Sequence, residues 1–331
     1  MRGQIYKIYS DSYYVKCDNT ITKCNIRDVL KKQKASIVTG DFVEFQDNVI
    51  NNILPRKNYI KRPAVANVDQ IVIVSSLKQP DLDFIQLNRY ITLANYYKIP
   101  VILCFNKEDL GTENGFNDKI VSIYSDLGYK LVFTSALKKN GINEFSRLLE
   151  DKISALCGNS GVGKSSLINN LNPDINLKTG SVSDKLNRGT HTTRHCEIIQ
   201  LNESTSIIDT PGFSNVSFNF MLPKDVGDLF PEIHKYKNLC KYSDCLHIHE
   251  AGCEVLKHID DIAPSRYQSY IEFVKEAFEY KEQVKYNGIK TETFHKNNNN
   301  KTVVKISEKK RQKARNTQKQ DIYKELEENE Y

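Results

Sequence analysis

The chain has 331 residues, 39% of them apolar, which suits two or three packed domains and excludes a wholly disordered polymer. Its 47 basic and 41 acidic residues leave a net charge of +6, which permits a nucleic-acid partner without requiring one. Apolar runs such as Ile71-Val72-Ile73-Val74 are too short to span a bilayer, and Met1-Arg2-Gly3-Gln4 opens a polar and aromatic pattern rather than a leader, so a soluble, cytoplasmic protein with no membrane partner is expected.

Residues 3–54 read as short strands. Tyr13-Tyr14-Val15-Lys16-Cys17 is aromatic and β-branched, and Phe42-Val43-Glu44-Phe45 alternates after the turn Thr39-Gly40-Asp41. This predicts a small β-barrel, and pattern alone does not separate an OB-type from an SH3-type barrel. Residues 55–62 read as a basic linker. From residue 68 the character changes. Apolar runs at 68–74, 100–105, 131–133 and 153–157 alternate with helical stretches, one carrying Phe84, Leu87, Ile91 and Ala94, as a parallel α/β sheet requires. Residues 223–260 hold a short helix and a Cys/His cluster. A further helix at 264–283 should turn Tyr267, Tyr270, Ile271, Val274 and Phe278 inward. From 291 the chain reads as a charged tail, disordered or loosely helical.

The chemistry sits in the loops between these elements. Gly158-Asn159-Ser160-Gly161-Val162-Gly163-Lys164-Ser165 fits G-x-x-x-x-G-K-S between an apolar strand and a helix that begins with Ser166. Its glycines let backbone N–H groups face a phosphate, and the helix N-terminus adds partial positive charge. Lys164 is expected on β- and γ-phosphate oxygens and Ser165 on Mg²⁺. Asn106, Lys107, Glu108 and Asp109 form an N-K-x-D loop after a buried strand. A carboxylate at Asp109 accepts from guanine N1–H and the 2-amino group, which adenine does not offer. Ser135 and Ala136, after the next strand, suit a turn whose N–H groups meet guanine O6. Two such loops after consecutive strands argue for GTP over ATP, against a P-loop ATPase or kinase.

Asp209-Thr210-Pro211-Gly212 follows another strand, placing Asp209 toward Mg²⁺ and the Gly212 N–H toward the γ-phosphate. In Arg188-Gly189-Thr190-His191-Thr192-Thr193, Thr193 is preferred over Thr192 as the Mg²⁺-ligating, catalytic threonine. Phe213 stands where Ras-type enzymes carry a water-orienting Gln. A phenyl ring cannot hydrogen-bond water, so His191 is the candidate to position the nucleophile. The usual motif order begins with the phosphate loop. Here the base-reading loops come first, which is a circular permutation and makes Asp209-Thr210-Pro211-Gly212 lead into the C-terminal segment.

Cys240-x₄-Cys245-x-His247-x₅-Cys253 supplies three thiolates and an imidazole within fourteen residues, with His249 as a spare. Cys₃His is a closed set that suits one structural Zn²⁺. The remaining five cysteines have no ligand-like spacing, and a disulfide scaffold does not suit a chain of this length.

With these residues the chain resembles the RsgA (YjeQ) family of small-subunit-dependent GTPases over about residues 1–285. The resemblance implies an OB-fold at 1–60, a circularly permuted GTPase domain at 63–218 and a mostly helical zinc domain at 219–290. It also implies a monomer that binds GTP or GDP with Mg²⁺ and meets 16S rRNA on the 30S ribosomal subunit. Its hydrolysis would be stimulated there, through His191, during late 30S maturation. The competing expectation is an RNA-binding assembly factor that holds GTP with negligible turnover. Ala251 stands where many family members have Pro, and the tail follows no family pattern.

Overall fold

The computed structural model describes residues 1–10, 12–18, 20–32, 36–175, 177, 196–210, 218, 221–287, 294–296 and 302–304. The chain divides into two compact units, Met1–Val216 and Ser217–Tyr331. Among the described residues no helix is long and apolar enough to cross a membrane.

The first unit opens with β1 (Arg2–Tyr9), β2 (Ser12–Cys17), β3 (Thr20–Ile26), a short helix α1 (Asp28–Lys32), β4 (Phe42–Gln46) and β5 (Val49–Ile53). They lie in the order β1-β2-β3-β5-β4, and β4 returns to β1 with Gly3 opposite Val43, closing a ring. β3 and β5 run parallel, with Asn25 opposite Val49. This five-stranded ring with one parallel contact is the OB arrangement, so pairing decides what alternation left open. Alternate residues Ile5, Val15, Cys24, Val43, Phe45 and Ile50 fill its core.

The segment read as a linker contains β6 (Tyr59–Ile60), paired antiparallel with β7 (Val65–Ala66). Then come β8 (Gln70–Ser76), α2 (Phe84–Tyr96), β9 (Val101–Asn106), α3 (Phe116–Ser125), β10 (Lys130–Phe133), α4 (Ile142–Leu149), β11 (Ile153–Cys157) and α5 (Lys164–Leu171). Two strands follow, β12 (Glu197–Gln200) and β13 (Ser206–Asp209). The order β10-β9-β8-β11-β13 is parallel throughout. β8 and β9 are buried along almost their whole length, which explains their unbroken apolar runs. Strand succession runs outward in opposite directions from β8 and β11, so the carboxyl ends diverge there and open a crevice of the kind ligands occupy.

β12 was not foreseen. It is four residues long, antiparallel to both β13 and β1, with Lys7 opposite Glu197. It joins barrel and α/β strands into one eleven-stranded sheet.

In the second unit a 3₁₀ segment, Pro223–Leu229, precedes α6 (Pro231–Lys237), α7 (Glu254–Lys257) and α8 (Pro264–Asn287). Proline opens both α6 and α8, where its missing N–H is harmless. The buried stripe of α8 is Arg266, Ser269, Tyr270, Phe273, Val274 and Ala277. The expected stripe is thus displaced: Phe273 is inside and Phe278 is 47% exposed. Arg266 explains the offset, because its guanidinium is bound at 2.7 Å by Glu232 and sits over the Phe230 ring. Within the stretch read as a tail, β14 (Phe294–Lys296) pairs antiparallel with β15 (Thr302–Val304).

Candidate functional site

Four loops leave the carboxyl ends of neighbouring parallel strands. The 107–110 turn follows β9, Ser135 and Ala136 follow β10, residues 158–163 follow β11, and Asp209 ends β13. Asn106, 1% exposed, ties three of them. Its Nδ2 donates to the Val162 carbonyl at 2.8 Å, while its Oδ1 accepts from the Ala136 N–H at 3.1 Å and the Thr134 hydroxyl at 3.2 Å.

The 107–110 turn is braced from both sides. Lys107 takes a left-handed φ of 65° and its ammonium donates to the Gln79 carbonyl. The Glu108 N–H reaches the Thr134 carbonyl at 3.1 Å. Asp109 is exposed, and its Oδ1 accepts from the Ser135 hydroxyl at 2.5 Å. The carboxylate is thus aimed from a fixed turn with acceptor capacity to spare.

The phosphate loop has its required backbone. Gly158 takes φ 144°, and a Cβ there would lie 2.0 Å from the Val74 carbonyl oxygen. Gly163 takes φ 98°, and a Cβ there would lie 2.3 Å from Asn106 Nδ2. Larger residues therefore cannot occupy either position. Asn159 Oδ1 accepts from the Tyr90 hydroxyl at 2.9 Å. Ser160 and Gly161 form the turn at the tip, and Lys164, Ser165 and Ser166 make the first turn of α5. Lys164 folds back, its Nζ donating at 2.8 Å to the Gly158 carbonyl and 3.0 Å to that of Asn159.

Lys164 and Asp209 feel one another. Burial lowers the Lys164 pKa, with Asp209 opposing; burial raises that of Asp209, with Lys164 opposing. Both charges are held partly desolvated, as a phosphate and metal site demands. The Ser165 hydroxyl and Asp209 carboxylate are hard oxygen donors of the type Mg²⁺ prefers. Thr210 anchors the end of β13 through its hydroxyl to the Leu156 carbonyl at 2.5 Å. His191, Thr192, Thr193, Gly212 and Phe213 lie outside the described residues.

In the second unit, one ligand atom from each of Cys240, Cys245, His247 and Cys253 falls within 4.8 Å of all the others. Cys240 and Cys253 sulfurs are 3.9 Å apart, and His247 Nδ1 is 3.5 Å from each. A tetrahedral zinc site with ordinary bond lengths requires about 3.8 Å between sulfurs and about 3.5 Å from sulfur to nitrogen. The set fits. N–H groups of Glu254 and Leu256 point at the Cys240 and Cys253 sulfurs at 3.3 and 3.4 Å. His247 adopts a φ of 55° that carries its ring inward, and Tyr267 holds its carbonyl at 2.8 Å. His249 is exposed and outside the group. Glu250 knits the loop by accepting from the N–H groups of Leu246, Ile248 and His249.

Sequence reasoning missed Tyr90, which sits in α2 remote from every motif, and the 77–80 segment, where the Leu77 N–H meets the Asn106 carbonyl at 3.1 Å. No local signal marks either, because each acts through a partner distant in the chain.

The family model described as RsgA GTPase matches residues 53–219, and the one described as RsgA N-terminal domain matches residues 2–52. A model described as 50S ribosome-binding GTPase matches residues 153–291. The small ribosomal subunit biogenesis GTPase RsgA of Clostridium botulinum (strain Langeland) is 36% identical over 285 residues, covering 83% of this chain and 97% of its own. The protein of the same description from Agathobacter rectalis is 37% identical over 290 residues, covering 82% and 96%. Among solved structures, YjeQ from Thermotoga maritima has a TM-score of 0.72 at 32% identity, covering 84% of this chain and 98% of its own. YloQ, described as a circularly permuted GTPase, has a TM-score of 0.68 at 29% identity, covering 84% and 95%.

Proposed function

The chain belongs to the RsgA GTPase family, and from that premise we propose that it hydrolyses GTP to GDP and phosphate during late maturation of the 30S ribosomal subunit, which it binds through 16S rRNA and which stimulates it. The observation that carries the nucleotide half is the Asn106 carboxamide, which holds the phosphate loop and the Ser135-Ala136 loop against the base-reading turn.

In this reading Asp109 accepts from guanine N1–H and the 2-amino group, and the N–H groups of Ser135 and Ala136 face O6. Asn106 braces the turn, and Lys107 and Glu108 shape it. Residues 158–163 wrap the β-phosphate over the α5 N-terminus, with Ser166 next to the loop. Lys164 gives up the carbonyls of Gly158 and Asn159 for phosphate oxygens, so its charge moves onto the transferring group. Ser165, Asp209 and Thr193 would hold Mg²⁺, which neutralises phosphate charge when bound. The Gly212 N–H toward the γ-phosphate and His191 toward the attacking water remain assignments from sequence.

Cys240, Cys245, His247 and Cys253 would hold one structural Zn²⁺. With four protein ligands no position is open for catalysis, and the ion would supply folding energy to a small segment. The working divisions are the barrel at 1–60, the GTPase domain at 63–218 and the zinc domain at 219–290. A cytoplasmic monomer fits this role, and the basic stretches at 31–34 and 56–62 supply candidate phosphate contacts.

Phosphate release with and without 30S subunits tests the proposal, together with co-sedimentation in GDP and in a non-hydrolysable GTP analogue. Stimulated release and nucleotide-dependent binding are expected. Binding to 30S without stimulation would favour the GTP-liganded assembly factor of negligible turnover, the reading that Phe213 supports.

A further inference from the structure

Helix α2 reaches the phosphate loop through Tyr90. The Tyr90 hydroxyl, on a side chain 1% exposed, donates to Asn159 Oδ1 at 2.9 Å. Burial pushes the phenol well above its ordinary range, so the group stays a donor at any working pH. Asn159 is the second residue of the loop, and its side chain is engaged with the helix. The later limb of the same loop is held by Asn106 through the Val162 carbonyl. Lys164 folds back on the Gly158 and Asn159 carbonyls from within the motif, and a side chain from another element holds each limb as well: Asn106 for the second and Tyr90, from outside every motif, for the first.

The setting makes this contact matter. It borders a small cleft lined by Ser76, Asp83, Gln86, Tyr90, Asn159 and Val162. Losing the hydroxyl leaves the first limb room to move. The β8–α2 connection also holds the base-reading turn, through the Leu77 N–H to Asn106 and the Gln79 carbonyl to Lys107.

We propose that Tyr90 is a positioning residue for the phosphate loop, fixing Asn159 so that the loop is already formed for a β-phosphate before nucleotide arrives. This rests on the reading of residues 158–165 as the GTP phosphate site. A pre-formed loop lowers the ordering cost of binding. The β-phosphate is shared by GTP, GDP and the transition state, so the effect belongs to uniform binding: KM and Kd shift while kcat does not.

The test uses the full chain as wild type, Tyr90→Phe, Asn159→Ala and the double variant, titrated with fluorescent GDP and assayed for GTP turnover. Tyr90→Phe should raise Kd for GDP and KM for GTP about 3–10-fold, the worth of one hydrogen bond, and leave kcat within about twofold. Gln86 also hydrogen-bonds this hydroxyl, so the double variant isolates the Asn159 contact. The two losses should be sub-additive, because one shared contact cannot be lost twice. An unchanged Kd for Tyr90→Phe overturns the proposal, including where the nucleotide-free melting temperature falls, since that result marks a purely structural tyrosine. Strictly additive losses overturn it too. Failure of the wild type to bind GDP removes the underlying reading as well.

Discussion

Asn106 donates its side-chain N–H to the Val162 carbonyl at 2.8 Å, joining the end of β9 to the phosphate loop across 56 residues of chain. The same carboxamide accepts from Ala136 and Thr134, so one buried group keeps three loops in register.

Replacing Asn106 by Ala strands the Val162 carbonyl and two donors, at about 1–3 kcal/mol for each group left unsatisfied. Affinity for GDP should fall by at least about tenfold and the melting temperature should drop. The isosteric Asn106→Asp should do no better, because it sets a carboxylate against the Val162 carbonyl. Calorimetric titration with GDP and a thermal melt check both variants, and a near-native Asn106→Asp would contradict the bridging role.

Asp109→Asn should exchange base preference. An amide still accepts from N1–H through its oxygen, but its NH2 meets the guanine 2-amino group donor to donor, whereas it can donate to a C2 carbonyl, as in xanthine. GTP affinity should fall by roughly 10³–10⁴-fold while XTP gains. Competition between the two nucleotides measures the switch, and unaltered GTP preference would remove Asp109 from base reading.

The metal group predicts one zinc per chain by elemental analysis. Cys253→Ala should reduce bound zinc to near zero and destabilise the second unit by several kcal/mol, since metal binding there is coupled to folding. A strong chelator should lower its melting temperature likewise. Because ligand thiols must lose protons, zinc retention should weaken as pH falls. Cys24→Ala, buried in the barrel core, should leave zinc content unchanged.

Asp209 gives a pH signature. Burial holds its carboxyl above the unfolded 3.8 despite Lys164, so the folded chain binds this proton more tightly than the unfolded one. Its contribution to stability is therefore fully present below pH 3.8 and is lost as pH rises through the folded value. Asp209→Asn should stabilise nucleotide-free protein at pH 7, by about 2–4 °C for each kcal/mol recovered, and the difference should vanish toward pH 3. The same variant should lose Mg²⁺-dependent GTP turnover by about 10²-fold or more. Melts across pH 3–8 decide the matter, and a variant less stable than wild type at pH 7 would count against it.

Arg266→Ala should cost about 3–5 kcal/mol in the second unit, because Glu232 would remain buried without its partner. Arg266→Met combined with Glu232→Leu should recover most of that loss. Denaturant unfolding of the three proteins checks the order.

The sequence by itself determined where the candidate chemistry sits. A G-x-x-x-x-G-K-S loop, an N-K-x-D turn and a Cys₃His set each place particular residue types at short, fixed chain separations, so Gly158, Asp109 and Cys240 stand out as candidates without coordinates. It determined the strand–helix alternation for the same reason, since periodicity records which residues meet water. Tertiary structure alone decided partners. The parallel contact of β3 with β5 made the barrel OB-type, and β12 joined it to the α/β sheet. Arg266 occupied a core position because Glu232 faced it, and Tyr90 found Asn159. Hydrogen bonds and ion pairs between distant residues leave no local pattern: a buried polar side chain reads as surface until its partner is known.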